Sequence, residues 1–546
     1  MLKLVDIFGY LAVLLSAGTL VGQSFLLGGL VFLFWIARPS AEAPIEALAK
    51  VRCYALRWFR YSAIGLAIVQ VLYLYVNTAV LMASAEIGFR EAMGANFFLA
   101  GSVMLVAALM IAVMARNQEK YIFCFLTVLV LIVLGASVMT DHAASRIDGR
   151  VPLIILTAFH ELATGFWIGA LPFLLVALYV KRDPTVQWYL TRRFSRVALI
   201  SVLTIVVSGL FMSFSYVASW RALFGTSYGL MLLAKIAMLG AMLVLGGINF
   251  LMLRKSTPGE MIPRLRRLVE AEVGIGITIV LSAASMTAQP PAVDLPNDTV
   301  QPSHIYQRFK PEWPVLRSPN AADLSTKIPG QVISKNDPTR KTIAYSSEGM
   351  PLSIRDIADM RWSEYNHHWL GLIVLAMGLL AFLARTSKAP WAEYWPLLMI
   401  GIAVFIFLRG DPECWPLGPK SFWATWATPE IFQHRAAAIL CIAFAVFELR
   451  VRRNPAQQGI LPLIFPLICA VGAALLLTHS HGTSNVKEET LAELSHTPMA
   501  VLGVMAGWSR WLEIRLPEER GRRMMAWIWP VCFILIGAAL MNYREL

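Results

Sequence analysis

The sequence predicts an all-α, polytopic helical membrane protein with about 14 transmembrane helices in an 8 + 6 arrangement, and three observations lead there. Of its 546 residues 57% are apolar and 15% charged, and the mean hydropathy of +0.62 exceeds what a soluble chain sustains. The apolar residues come in blocks of about 18 to 28, each able to cross roughly 30 Å of hydrocarbon at 1.5 Å per residue. The cations stand between these blocks.

Blocks bounded by charges, Pro or Gly place spans near 8–36, 60–83, 96–115, 121–141, 151–180, 197–219, 228–253 and 268–288. Residues 289–362 hold ten prolines, many charges and no sustained period, so they form a loop or small appended unit outside the bilayer. Six further spans are predicted near 367–384, 393–408, 431–449, 460–478, 497–514 and 525–541. The expected organisation is thus an eight-span unit over 1–288, the 289–362 segment, and a six-span, His-rich unit over 363–546.

A net charge of +13 could point to nucleic acid, so the positions of the cations decide. Arg38, Lys50, Arg52, Arg57 and Arg60 follow the first block, and Lys181, Arg182, Arg192, Arg193 and Arg196 follow the fifth. Clusters at Arg116/Lys120, Arg254 to Arg267, Arg385/Lys388, Arg450 to Arg453 and Arg510 to Arg523 fall on the same side. This is the positive-inside pattern, and it makes the lipid bilayer the partner with no need for nucleic acid. In a Gram-negative cell it predicts a multi-pass inner-membrane protein with both termini and the 289–362 loop in the periplasm. The first span reads as retained. The six cysteines show no CxxC spacing, which argues against a disulfide framework or a zinc site. Walker, Rossmann, HExxH and GxSxG motifs are absent from the sequence, so no ATP-driven pump or familiar enzyme class is indicated.

With orientation set by Lys and Arg alone, all nine histidines fall in the outer half or outside. His142 ends span four, His304 lies in the loop, and His367 and His368 open span nine. His434 opens span eleven, His479 and His481 close span twelve, and His496 opens span thirteen. Met139, Met286, Met360 and Met499 stand near the same ends. Imidazole suits copper(II), while copper(I) also takes thioether. The plainer reading is that polar side chains collect at helix ends where water is, and that Met fills cores.

His160 lies about ten residues into span five, roughly 15 Å deep. An ionisable group there requires a partner or a task; a hydrogen bond to another helix would satisfy it structurally. Glu161 beside it points about 100° away and so faces other neighbours. On span seven Met231, Lys235, Met238, Met242 and Asn249 share one face. Lys235 needs an anion, for which Glu161 is a candidate, and the thioether stripe either conducts copper(I) or packs.

The segment FHELATGFWIGALPFLL at 159–175 is followed by RFSRVALISVLTIVVSGL at 193–210 and TSYGLMLLAKIAMLGAMLVLGGIN at 226–249. Together with the span ending near Gln289, these resemble the copper resistance protein D (CopD) family. The resemblance rests on His160, Trp167, Gly169, Arg193 to Ser195, Thr226, Tyr228, Gly229, Lys235 and Asn249 in that order. THSHG at 478–482 and SHTPMAVLGVMAGWSRWLEIR at 495–515 resemble the C-terminal membrane region of longer relatives. The resemblance implies inner-membrane copper handling, usually uptake, with a small periplasmic copper-binding partner of the CopC type.

The leading expectation is therefore copper ion transport contributing to copper homeostasis or resistance, with Cu+ or Cu2+ bound at the periplasmic face. Candidate ligands are Met139, His142, His160 and Met286, with His367, His368, His434, His479, His481 and His496 in the second half. Two alternatives stay open: a membrane redox protein holding haem b or copper through the C-terminal histidines, and a non-transporting copper-binding or assembly protein.

Overall fold

The computed structural model describes residues 8–116, 120–255, 258–319, 354–386, 388–426, 429–453, 459, 461–477, 486–517 and 519–544. No β-strand forms among the described residues. Nine of their helices are long and apolar enough to cross a membrane, and three apolar helices, Ile122–Val138, Leu397–Gly410 and Leu461–Leu476, are shorter. The chain is an all-α polytopic membrane protein. Each of the fourteen predicted blocks lies largely on a helix, but five of those helices fall short of that standard. They are the three short ones and the charge-bearing Pro429–Arg453 and Val486–Arg515.

Two compact units divide the chain, one mainly Met1–Leu223 and Met231–Asn297, the other mainly Asp298–Leu476 and His481–Leu546. In the first unit Phe8–Val31 runs into a π turn, Phe32–Ile36, and Ile45–Ala85 extends for 41 residues. The cations of the connection predicted before residue 60 are thus helical. Arg52 Nη1 donates to the carbonyls of Leu33 at 2.9 Å and Ala37 at 3.0 Å. Carbonyls at a helix end lack intrahelical donors, so a residue that marks orientation also caps the first helix. Deeper in the bundle Gln70 Nε2 donates to Thr19 Oγ1 at 2.8 Å and joins the two helices, where few other polar partners are on offer.

The helix Pro184–Tyr216 shows the inverted patterning of a lipid-facing element. Leu203 is 66% exposed while Ser201 and Ser208 are each 3% exposed. In water that arrangement would be costly; against hydrocarbon it is the favourable one. The helix starts on an Asp183 cap, whose carboxylate accepts from the Thr185 backbone N–H at 3.0 Å and hydroxyl at 2.6 Å, with Pro184 next in line. Those Thr185 bonds hold the Asp183 carboxyl below its usual range. Its contribution is present above the unfolded-state pKa and is lost as the pH falls through the folded one. Asp183→Ala is expected to cost about 1 kcal/mol near neutral pH. Thermal melts in detergent should show the gap from the parent closing below about pH 4.

The second unit contains Ile354–Ala384, Leu397–Phe405, Pro429–Arg453, Leu461–Leu476, Val486–Arg515 and Glu519–Met541. Its first long helix begins at Ile354, inside the segment predicted as loop. Trp395, Trp529, Phe465, Phe533 and Phe444 form its aromatic core. Ile354–Ala384 and Glu519–Met541 touch backbone to backbone: a Cβ on Gly378 would stand 2.6 Å from the Ile534 nitrogen, and one on Gly537 2.4 Å from that of Leu375. Small residues permit that approach in a membrane bundle.

Candidate functional site

The segment that carries His160 is held by a glycine contact. Arg150–Thr164 passes into a π turn, Gly165–Gly169, and then into Leu171–Val180. A Cβ on Gly169 would lie 1.8 Å from the Ser24 carbonyl oxygen, and one on Gly28 would lie 2.0 Å from the Gly169 carbonyl carbon. The first helix therefore runs against this turn with no side chain between them. The approach sets Gln23 opposite Glu161, and the Gln23 Nε2 donates to Glu161 Oε2 at 2.6 Å.

His160 faces the Pro184–Tyr216 helix. Its Nδ1 is 2.9 Å from Ser208 Oγ, and the Ser208 hydroxyl itself donates to the Thr204 carbonyl at 2.6 Å. With that hydrogen committed, Nδ1–H is the donor, and the ring is the tautomer with its lone pair on Nε2. Metal-bound histidines are held in this way through their second nitrogen. The ring packs next to Gly209, where a Cβ would stand 3.4 Å from it, an ordinary contact distance.

Glu161 looks away from His160, as the helical offset requires, and accepts from Gln23. The pairing expected between Glu161 and Lys235 is corrected. Glu161 accepts from Gln23 instead, and no ion pair between Glu161 and Lys235 forms among the described residues. Asp141 caps the short helix His142–Ser145 by accepting from the His142 backbone N–H at 2.6 Å.

The remaining predicted ligands of this unit are dispersed. The His142 ring meets Tyr216 edge-on, with centroids 6.4 Å apart. Tyr216 lies eight residues beyond Ser208, so His142 and His160 contact points about 12 Å apart along one helix. One ion with bonds of about 2 Å does not span both. Met139 is exposed and Met286 buried. Met231, Met238 and Met242 are all buried, on the helix Ser227–Lys255 that also carries Lys235. Further along that helix Asn249 Nδ2 donates to Glu272, and both are buried. At the basic end Arg267 pairs with Glu270 at 2.7 Å, and Tyr179 donates to the same carboxylate.

In the second unit the structure brings some predicted histidines together and separates others. His367 and His496 meet edge-on with centroids 5.8 Å apart. The His368 Nδ1 accepts from the Val315 backbone N–H and its Nε2–H donates to the Tyr543 carbonyl, both at 2.8 Å. With both nitrogens so bonded, this arrangement leaves no lone pair for a metal. His434 is exposed and its Nδ1 lies 2.9 Å from Asp411. His304 is exposed on the short helix Pro302–Phe309. His479 and His481 lie outside the described residues. No group of three or more His, Cys, Asp or Glu side chains that could hold a metal occurs among the described residues.

Sequence reasoning missed Gln23, Ser208 and Glu272, although a scan for polar residues inside apolar blocks would have found them.

Lipid-facing helices that carry an imidazole, two carboxyls, a lysine and a row of buried thioethers among them define a polytopic membrane protein. Residues 188–286, which supply Ser208, Lys235, Asn249 and Glu272, match the family described as copper resistance protein D. The similarity to that family is carried by this segment, which is less than half of the chain. Copper transport protein CutJ of Bacillus subtilis (strain 168) is 31% identical over 208 residues, which are 37% of this chain and 38% of that protein. The match thus spans well under two thirds of the relative. No solved structure matches the chain.

Proposed function

We propose that the chain moves copper across the cytoplasmic membrane of its cell, with the His142 end of the first unit facing the periplasm and all fourteen apolar helices spanning. The observation that carries this reading is the half-buried His160, fixed by Ser208 of the family-matched segment in the tautomer that offers Nε2. A bare cation in hydrocarbon is prohibitive, so its passage needs successive donors. His142, His160 and the thioethers of Met231, Met238 and Met242 supply such donors in steps too far apart for one cage, and the thioethers select copper(I). Conduction also requires that binding at each such station be weak enough to release the ion. A small periplasmic copper-binding protein would deliver the ion to the His142 end.

His160→Ala is expected to bring cellular copper accumulation down to that of cells lacking the protein, at equal membrane abundance. Ser208→Ala, which frees the ring but keeps it, should weaken copper binding about tenfold. Elemental analysis of washed cells checks both. Unchanged accumulation in His160→Ala would remove this site from the pathway.

A further inference from the structure

We propose that the groove between Ile354–Ala384 and Leu397–Gly410 in the second unit binds one anionic phospholipid, with a tail along the groove and the phosphate on Arg409. The helix Leu397–Phe405 continues through a π turn, Ile406–Gly410. Leu397, Ile400, Gly401, Val404 and Leu408 recur at intervals of three and four and so share one face. All five line a groove of about 580 Å³. Trp369 and Ile373, about one turn apart on Ile354–Ala384, line it from the other helix. Trp369 stacks on Phe405 with centroids 6.2 Å apart, which joins the two walls.

Gly401 keeps the groove deep. Gly378 and Gly537 permit close helix contact, but a Cβ at Gly401 would meet nothing within 4 Å. The absent side chain therefore serves the groove and not the packing of two helices. Leu397, Val404 and Leu408 are exposed, and exposed apolar side chains on a membrane-spanning helix face hydrocarbon. What lies along them must be apolar over the same length.

The length of the groove matches one lipid tail. From Leu397 to Leu408 the helix rises about 16 Å, and one leaflet, half of the roughly 30 Å hydrocarbon layer, is about 15 Å deep. A tail that fills the groove thus brings its head to Arg409, and that end is the wet one. The Trp369 Nε1–H donates to the Leu316 carbonyl at 3.0 Å, and Arg409 Nη1 lies 3.4 Å from the Ser318 hydroxyl. Residues 311–318 form no helix or strand and are largely exposed. Exposed irregular backbone does not sit in hydrocarbon, so the groove meets the membrane surface there.

The charge at this end selects the head. Arg409 lies over the Trp362 ring and makes no ion pair with a carboxylate among the described residues. Its guanidinium fork matches the paired oxygens of a phosphate. A zwitterionic head would bring an ammonium beside this cation, whereas an anionic head brings none. Cationic pockets between membrane helices recognise anionic lipids on this ground.

The test uses the purified full chain in detergent. Native mass spectra should show one phosphatidylglycerol retained per chain, and added phosphatidylglycerol should raise the melting midpoint while phosphatidylethanolamine leaves it unchanged. A phosphatidylglycerol with a photoreactive diazirine in its tail should label Ile373 or the helix 397–408. Arg409→Gln is expected to weaken phosphatidylglycerol binding about tenfold, with Arg409→Lys in between, and Gly401→Phe, which fills the groove, should abolish it. Equal retention of phosphatidylethanolamine, labelling confined to other helices, or unchanged binding in either Arg409→Gln or Gly401→Phe would overturn the proposal. So would a retained quinone that phosphatidylglycerol does not displace. Because the lipid preference and the labelled position are read on the unsubstituted chain, a variant that fails to fold does not hide the answer.

Discussion

Glu448→Ala is expected to destabilise the second unit by about 3–5 kcal/mol, the range for removing one partner from a buried ion pair. Glu448 is fully buried on Pro429–Arg453. Its Oε1 accepts from Arg510 at 2.9 Å and from Arg452 at 3.1 Å. Arg510 also reaches Glu513 at 2.8 Å, and Arg385 reaches Glu513 at 2.6 Å. Arg385 and Arg510 lie over the Trp529 ring, and Arg452 over Trp395. Three guanidiniums therefore share two carboxylates, and without Glu448 the Glu513 carboxylate remains for Arg385 and Arg510 while Arg452 loses its partner. Glu448→Gln keeps an acceptor and should lose less. Thermal melts of detergent-solubilised protein measure both, and a midpoint for Glu448→Ala equal to the parent's would sink the assignment.

Gly169→Val should cost about 3 kcal/mol, at the upper end for added bulk in a packed interior. The cost is high because the obstacle is main chain: Ser24 stands 1.8 Å from even a Cβ at this position, and no rotamer relieves that clash. The first helix would have to retreat from the π turn, separating Gln23 from Glu161. Copper accumulation should therefore fall with stability, unlike in His160→Ala, where stability stays near the parent's. A Gly169→Val chain that melts with the parent and retains accumulation would show that the close contact is dispensable.

The helices were legible because a bilayer imposes one length and one polarity on every span. Helix ends were less so: hydropathy drops at Lys50 and Arg52, yet backbone hydrogen bonding continues, and the helix starts at Ile45. Arg510 and Arg452 were counted as markers of a connection, whereas they lie in helices beside Glu448. A charge that meets its counter-charge on another helix gives no local sign of it. The same holds for the site. His160 stands out as an ionisable residue at depth, but Ser208 is 48 positions away. Nothing in the spacing of His367 and His496 announces that their rings meet.

The anchoring of His160 has a kinetic meaning. Its Nδ1 is tied to Ser208, and Ser208 in turn to the Thr204 carbonyl, so the ring has no swing. On the proposed transport reading, an ion arriving there would meet a stationary donor, and its departure would be governed by how fast a metal–nitrogen bond breaks and not by side-chain rotation.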